Sequence, residues 1–261
     1  CSKQFHCTEM FEDVDDFEDG DSTTLLVSKS KWRSGAVGTG FVTGPIFDAA
    51  AGGRRGNALR ATYSAPNGSY VYVLNDISES LSVYSLNAST GALTEVTGSP
   101  YATGTSPWAV LVDPTSRFVY VTNTFGDSVS AFSSNALTGA LTPIAGSPFA
   151  AGIFPVELAI PASGSFLYVT NAGSFTISAW SINATTGALT PIAGSPFAAG
   201  FSPFAAATDI SGGYLLVSNA GTADFSVYTI NATTGALTEV AGSPFAAGGF
   251  PVSLMIKGII Q

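Results

Sequence analysis

The sequence predicts an all-β fold of the β-propeller type, in which four-stranded sheets repeat as blades around a common axis. Asn75, Asn123, Asn171 and Asn219 follow one another at intervals of 48 residues, and no insertion interrupts this period. Each repeat contains four short strand-like segments separated by turn residues, and none of them has helical periodicity. Four strands in a repeat of about 40 to 50 residues are typical of a propeller blade.

The third repeat shows the predicted strands in order. VELAIP (156–161) is a compact apolar strand, and PASGS then turns the chain into FLYVTN (166–171). TISAWSIN (176–183) alternates polar and apolar residues, NATTGA forms the next turn, and LTPIAGSPF completes the repeat. Because one such blade cannot bury its own apolar face, we expect neighbouring blades to stack and form the core.

The sequence leaves the number of blades open. Four clear 48-residue repeats lie within residues 58–261, and a last apolar segment, VSLMIK, follows them without a blade of its own. Residues 1–21 form an acidic segment, and residues 22–57 form a β segment that is either a degenerate blade or a remnant of another module. Pairing of residues 22–57 with VSLMIK would close a five-bladed ring. The alternative is an open four-blade arc whose edges pair with neighbouring subunits and generate fibres.

Charge is scarce and unevenly distributed. Charged residues make up 10% of the chain, the net charge is −9, and much of the acid lies in residues 1–21. A chain without a basic stripe lacks the electrostatic footprint of a nucleic-acid binder, so we expect no nucleic acid as a partner. No apolar run reaches the ~18 to 20 residues that span a bilayer. Membrane contact is therefore expected only through a lipid anchor.

The two cysteines, Cys1 and Cys7, lie close together and outside the repeats. A disulfide between them would suit an oxidising compartment. Cys1, followed by Ser2 and Lys3, also resembles the mature end of a bacterial lipoprotein, so lipidation at Cys1 is the alternative. Either interpretation predicts an extracellular or cell-surface protein.

The acidic segment offers hard oxygen ligands of the kind that bind calcium. We expect either a structural Ca²⁺ site or a solvated acidic turn there, and no other cofactor. The candidate calcium ligands are Asp16, Glu18, Asp19 and Asp21.

Several asparagines lie in N-x-S/T sequons and are glycosylation candidates. They are Asn67, Asn87, Asn183 and Asn231. Asn135 has the same phase in its repeat as the last three, but Ala-Leu follows it and breaks the sequon. A turn in which asparagine accepts backbone hydrogen bonds, with a left-handed glycine four residues later, accounts for all four in-phase positions and is the favoured interpretation.

A set of aromatic residues lies near the proline that begins each innermost strand. Exposed around one face, these residues would form an apolar ring suited to a partner; packing between blades is the alternative. The candidate interface residues are Trp108, Phe154, Phe201, Phe204 and Phe250. The expected partner is another copy of the chain, or another surface protein or a glycan.

Two family resemblances follow from short motifs. YVTN at 120–123 and 168–171, the TGALT turns and the GSPFAAG segments resemble the YVTN family of β-propellers, which is related to the lactonase-like seven-bladed propellers. This resemblance covers residues 58–261 and implies the propeller fold, with lactonase activity as one alternative. VDDFEDGD, Trp32 and GNALRATYS resemble the opening of jelly-roll carbohydrate-binding modules, which implies sugar binding as another.

The residue types in the repeats argue against catalysis. Lactonase relatives would require groups such as His, Glu and Arg that converge at one face. From residue 65 onward the only basic residues are Arg117 and Lys257, and His6 lies outside the repeats. We expect the acids of the repeats, Glu157 among them, mostly in turns or solvent-facing positions. The sequence therefore predicts a non-enzymatic scaffold or adhesin without catalytic residues, with self-assembly into filaments as an open possibility.

Overall fold

The computed structural model describes the backbone of residues 59–62 and all of residues 69–256. In these residues four antiparallel five-stranded sheets follow one another along the chain, and no helix occurs. The prediction of an all-β, propeller-like fold is thereby confirmed. The segments 1–21 and 22–57 lie outside the described residues, and so does any pairing of the latter with VSLMIK. Residues 252–256 of VSLMIK are described and form no strand within the described part of the chain, so the predicted last strand is absent there.

Each sheet consists of three longer strands and a divided outer edge. The first sheet contains β1 (Leu59–Thr62), β2 (Ser69–Asn75), β3 (Ser80–Leu86), β4 (Leu93–Glu95) and β5 (Tyr101–Ala102). The second contains β6 (Pro107–Val112), β7 (Phe118–Asn123), β8 (Ser128–Ser134), β9 (Leu141–Pro143) and β10 (Phe149–Ala150). The third contains β11 (Pro155–Ala159), β12 (Phe166–Asn171), β13 (Thr176–Ile182), β14 (Leu189–Pro191) and β15 (Phe197–Ala198). The fourth contains β16 (Pro203–Thr208), β17 (Tyr214–Asn219), β18 (Asp224–Ile230), β19 (Leu237–Glu239) and β20 (Phe245–Ala246).

The fourth predicted strand of each repeat is two short strands, because a turn interrupts it. In the third sheet both β14 and β15 pair with β13. The turn between them contains the cis peptide bond Ser195–Pro196, and the Ser195 hydroxyl accepts a hydrogen bond from Ala179 N at 2.9 Å. The serine hydroxyl thus takes the place of a strand carbonyl, and equivalent bonds occur in the other three sheets.

The core lies between neighbouring sheets. Three clusters of buried apolar side chains join the first sheet to the second, the second to the third, and the third to the fourth. Successive side chains of a strand point to opposite faces, so Val119 and Val121 of β7 pack towards the first sheet while Tyr120 packs towards the third. This arrangement explains why β7 and β12 carry apolar side chains on both faces: each face is buried against a neighbouring sheet.

Tyrosine hydroxyls bond the sheets to one another at their outer turns. Tyr120 Oη donates to Gly187 O of the third sheet at 2.8 Å, and Tyr168 Oη donates to Gly235 O of the fourth at 2.8 Å. Burial raises the pKa of both phenols well above the ordinary value, and the charge of Asp113 adds to the effect at Tyr120. The hydroxyls therefore remain protonated and continue to donate at neutral pH.

The glycine of the outer turn meets the neighbouring sheet in some blades but not in others. Gly187 and Gly91 occupy equivalent positions, and each has φ of +74°. A Cβ on Gly187 would lie 2.7 Å from Ile144 Cδ1 and would also press on the Phe118 ring, whereas a Cβ on Gly91 would meet nothing within 4 Å. The two glycines thus share a backbone requirement and differ in packing.

This difference predicts unequal effects of alanine at the two positions. We expect Gly91→Ala to lower the free energy of unfolding by about 1 kcal/mol, the cost of a left-handed alanine. Gly187→Ala should lower it by about 1 to 3 kcal/mol more, because the added methyl group overpacks the contact between blades. Urea unfolding of both variants measures the difference. Equal losses would show that Gly187 serves only the turn.

The asparagine that ends a second strand is buried and bonded within its own sheet. Asn171 Nδ2 donates to Thr176 Oγ1 at 3.0 Å and to Ser178 Oγ at 2.9 Å, and its Oδ1 accepts from Gly152 N at 3.2 Å. Asn123 makes the equivalent bonds in the second sheet. These bonds fix the turn after the second strand against the loop that leads into the first strand.

Candidate functional site

The first strands β6, β11 and β16 lie nearest the shared axis. Adjacent sheets contact one another mainly through their first and second strands. Pro107, Pro155 and Pro203 begin these first strands, and each pairs with the buried asparagine of its second strand. Side chains at the start of the first strands therefore lie at one end of the axis, beside the loops that follow the asparagines.

A β-bulge follows each proline, and one threonine side chain bonds both the bulge of its own sheet and that of the next sheet. In the third sheet the register shift leaves Val156 and Glu157 opposite Thr170. Thr170 Oγ1 accepts from Glu157 N at 3.1 Å and donates to Phe204 O of the next sheet at 2.9 Å. Thr122 makes the equivalent pair of bonds between the second and third sheets. The backbone of the bulge is thus fixed in position.

Two aromatic rings and a carboxylate lie on these bulges. Trp108 of β6 and Phe204 of β16 meet edge to face, with ring centroids 6.1 Å apart, although a whole sheet separates their strands. The strand between them, β11, carries Glu157, whose Oε1 accepts a hydrogen bond from Leu158 N at 3.1 Å. All three side chains are partly buried. A carboxylate in such a setting can act as a general base.

The prediction that the acids of the repeats mostly occupy turns or solvent-facing positions missed Glu157. The structure places it in the middle of a first strand, partly buried. Ala109 and Ala205 hold the equivalent positions in β6 and β16, so Glu157 marks a point where near-identical blades differ. The signal was present in the sequence as one charged residue inside an apolar strand.

Further aromatic side chains lie on the loops around this end of the axis. Phe125 and Phe154 form a T-shaped pair with ring centroids 5.4 Å apart, and Phe175 and Phe201 form a tilted pair at 4.5 Å. Phe125 is 62% exposed and Phe201 is 52% exposed, so both rings present apolar surface to solvent. We call this end of the axis, with its two phenylalanine pairs, the aromatic face.

Carboxylates accompany the aromatic side chains on this face. Asp127 Oδ1 accepts from Phe154 N at 2.8 Å, and Asp76 Oδ1 accepts from Ser106 Oγ at 2.7 Å. Glu79 is exposed in the turn after Asp76. These contacts bond the loops of adjacent sheets to one another and leave the aromatic face acidic.

The basic side chain in the described part of the chain, Arg117, lies at the end of the axis opposite the aromatic face. Arg117 is the single basic residue between residues 69 and 256. Its guanidinium donates to Ala184 O at 2.8 Å and lies 5.1 Å from the centre of the Phe118 ring, at the turn that precedes β7. Within the described part of the chain, positive charge is therefore remote from Glu157.

Four of the five predicted interface residues fall into two groups, and Phe250 stands apart. Trp108 and Phe204 lie on the first strands beside the axis, and Phe154 and Phe201 belong to the loop pairs of the aromatic face. Phe250, 65% exposed, precedes the next proline of the repeat. The first four residues lie at one end of the axis, while the role of all five as a protein interface stays a prediction.

The sequon asparagines make the bonds expected of turn residues. Asn183 Oδ1 accepts from Thr185 N at 2.9 Å and from Thr186 N at 3.0 Å. Asn87 and Asn231 make the same bonds, and so does Asn135, which has no sequon. The turn therefore accounts for these residues without a glycan, and glycosylation stays a prediction.

The remaining candidates lie outside the described residues. They are Cys1 and Cys7, the calcium candidates Asp16, Glu18, Asp19 and Asp21, and the sequon residue Asn67. Among the residues that the structure describes, no cluster of three His, Cys, Asp or Glu side chains is arranged to bind a metal. The same residues contain no helix long and apolar enough to cross a membrane.

Comparison with known proteins identifies the family. Residues 53–202, more than half of the chain, match the family described as Lactonase, 7-bladed beta-propeller. The chain belongs to this family. No curated protein matches the sequence significantly.

Solved structures support the fold. The chain is similar to a putative 6-phosphogluconolactonase from Bacteroides uniformis, with 18% identity, a TM-score of 0.65, and coverage of 75% of this chain and 57% of that one. A putative 6-phosphogluconolactonase from Bacteroides fragilis shows 22% identity, a TM-score of 0.65, and coverage of 75% and 56%. A periplasmic gluconolactonase from Pseudomonas aeruginosa shows 19% identity, a TM-score of 0.63, and coverage of 75% and 56%. The chain thus spans a little over half the length of these structures.

The family match overturns two predictions. The expectation of a non-enzymatic scaffold or adhesin is wrong, and so is the expectation that the protein is not an enzyme, because the matched family is one of lactonases. The error arose from requiring His and Arg as well as Glu. Hydrolysis of a lactone needs at least a base beside a bound ring, and the inner strands provide a carboxylate on β11, the strand between those that carry Trp108 and Phe204. The relation to lactonase-like propellers is confirmed; the YVTN and jelly-roll resemblances stay predictions.

Proposed function

We propose that this protein hydrolyses a lactone at the end of the propeller axis where Glu157 lies, and that Glu157 is the general base. The observation that carries the proposal is the position of Glu157 on an innermost strand of a lactonase-family propeller, between the strands that bear Trp108 and Phe204. Equivalent positions carry alanine, so the carboxylate is not a requirement of the blade.

The proposed reaction uses one water molecule and produces one hydroxy acid. The Glu157 carboxylate accepts a proton from water as the water oxygen attacks the lactone carbonyl carbon. The bond between that carbon and the ring oxygen then breaks, and the departing oxygen takes up the proton. Trp108 and Phe204 pack against the ring and hold its carbonyl near the base, which lowers the entropic part of the barrier.

A proposal about the ring accompanies this function. The four described sheets have the same strand plan and successive contacts, as consecutive blades of one ring would have. We propose that they form part of a larger closed propeller, for which the family description supports seven blades over the two alternatives that the repeat left open, a five-bladed ring and an open four-blade arc. The localisation at the cell surface and the lipid anchor also remain proposals.

The activity can be tested directly on the purified chain. Proton release in a pH-stat at neutral pH reports hydrolysis, because the hydroxy acid ionises as it forms. We expect saturable hydrolysis of at least one of a panel of five- and six-membered lactones. The rate should be about 10 times the rate in buffer alone or more, which is less than the acceleration that a general base typically contributes. Heat-denatured protein is the control. Rates equal to that control for every lactone would refute the proposed activity.

A further inference from the structure

We propose that the substrate is an uncharged lactone with an apolar, preferably aromatic, substituent, and not a phosphorylated sugar lactone. This inference rests on the proposed function and names the substrate class of the same site. Two properties of the aromatic face carry it: the rings at the end of the axis where Glu157 lies, and the sign of the charge near them.

The rings extend from the base outward. Trp108 and Phe204 lie on the strands beside Glu157, and the pairs Phe125–Phe154 and Phe175–Phe201 lie on the adjoining loops. A ligand with its lactone ring near Glu157 would direct a substituent towards these loops. Aromatic surface of this kind binds flat apolar groups through burial and stacking.

The loop phenylalanines are not explained by loop geometry. Phe154 has φ of 59° and Phe175 has φ of 58°, a conformation that bulky side chains rarely adopt. Ser106 and Ser202 hold the position of Phe154 with φ of 54° each, and Ala223 holds that of Phe175 with φ of 58°. Since smaller residues form the same loops, the rings are expected to serve a contact beyond the turn.

The charge on this face opposes an anionic substrate. Asp76, Glu79, Asp127 and Glu157 are all at this end of the axis, and Asp224 begins β18, directly after the corresponding turn of the fourth sheet. The basic side chain that the structure describes, Arg117, is at the opposite end. A phosphate group carries up to two negative charges, so the field of these carboxylates lowers its concentration at the site, while a neutral ring is unaffected.

The experiment compares three lactones with the purified chain. The probes are dihydrocoumarin, which is neutral and aromatic, glucono-δ-lactone, which is neutral and polar, and 6-phosphoglucono-δ-lactone, which is anionic. We expect kcat/KM for dihydrocoumarin to exceed that for glucono-δ-lactone by about 10-fold or more, the value of one buried apolar group, and the anionic probe to be the poorest. A higher kcat/KM for the phosphorylated probe would overturn the inference and leave the lactonase proposal intact.

Variants taken from the repeat itself test the rings. In Phe154→Ser with Phe201→Thr, each new residue is the one that the second repeat carries at that position, Ser106 and Thr105. The preference for dihydrocoumarin over glucono-δ-lactone should fall about 10-fold, through KM. Ile210→Ala is the matched control, because Ile210 is 54% exposed at the opposite end and Ala162 holds its position in the preceding repeat. An unchanged preference in the double variant, or an equal fall in the control, would contradict the inference.

A binding measurement tests the aromatic ligand site independently of the proposed hydrolysis. If no lactone is hydrolysed, the proposed function is wrong, and calorimetry with the hydrolysis-resistant lactam of dihydrocoumarin decides the inference alone. Binding of the lactam that the double variant weakens about 10-fold supports an aromatic ligand site. No heat of binding to the unmodified chain would overturn it.

Discussion

Glu157→Gln is expected to lower kcat for lactone hydrolysis by about 10²- to 10⁴-fold, with a much smaller change in KM. The amide retains the size of the carboxylate and can still accept a hydrogen bond from Leu158 N, the bond that Glu157 makes at 3.1 Å. It cannot accept a proton from water. Kinetics with the best substrate of the lactone panel measure the effect, and the split between kcat and KM identifies a role in the chemical step.

The blades supply the control for this variant. Ala109 and Ala205 occupy the equivalent bulges, so Glu157→Ala is compatible with the strand and should leave the free energy of unfolding within about 0.5 kcal/mol of the unmodified chain. It should be as inactive as the glutamine variant. If Glu157→Gln retains more than half of the activity, Glu157 is not the general base, whichever lactone is hydrolysed.

The repeat made the sheets predictable from sequence. FLYVTN was predicted as a strand over residues 166–171, and β12 covers Phe166–Asn171; TISAWSIN was predicted over 176–183, and β13 covers Thr176–Ile182. Both are strongly patterned because each is buried between two neighbouring sheets. The outer edge was less predictable, since the Ser195 hydroxyl that interrupts it bonds to a strand 16 residues away in sequence.

The candidate site depends on contacts that the sequence does not specify locally. Phe175 pairs with Phe201 only because consecutive sheets lie side by side, and Trp108 reaches Phe204 across an intervening sheet. The sequence leaves open whether the aromatic residues near the prolines form an exposed ring on one face or pack between blades, and their role as an interface stays a prediction. It does not point to Glu157 as the base proposed above, because blades that differ so little favour a scaffold over a differentiated site.

Asn171→Ala is expected to lower the free energy of unfolding by about 2 to 4 kcal/mol. The side chain is fully buried and makes three hydrogen bonds, to Thr176, Ser178 and Gly152. Its removal leaves these groups unpaired in a small cavity, and the two penalties add. Urea unfolding, followed by the fluorescence of the buried Trp180, measures the loss.

The matched control is Asn135→Ala, in an exposed turn of the second sheet. Asn135 Oδ1 also accepts two backbone hydrogen bonds, from Leu137 N at 2.9 Å and Thr138 N at 3.1 Å, but water can replace them. The loss there should be about 0.5 to 1 kcal/mol. Asn219→Ala should fall between the two, because Asn219 is equally buried while its Oδ1 has no partner among the described residues. Equal losses for Asn171 and Asn135 would mean that the asparagine at the end of the second strand acts as an ordinary turn residue and does not hold the loop from which the proposed site is built.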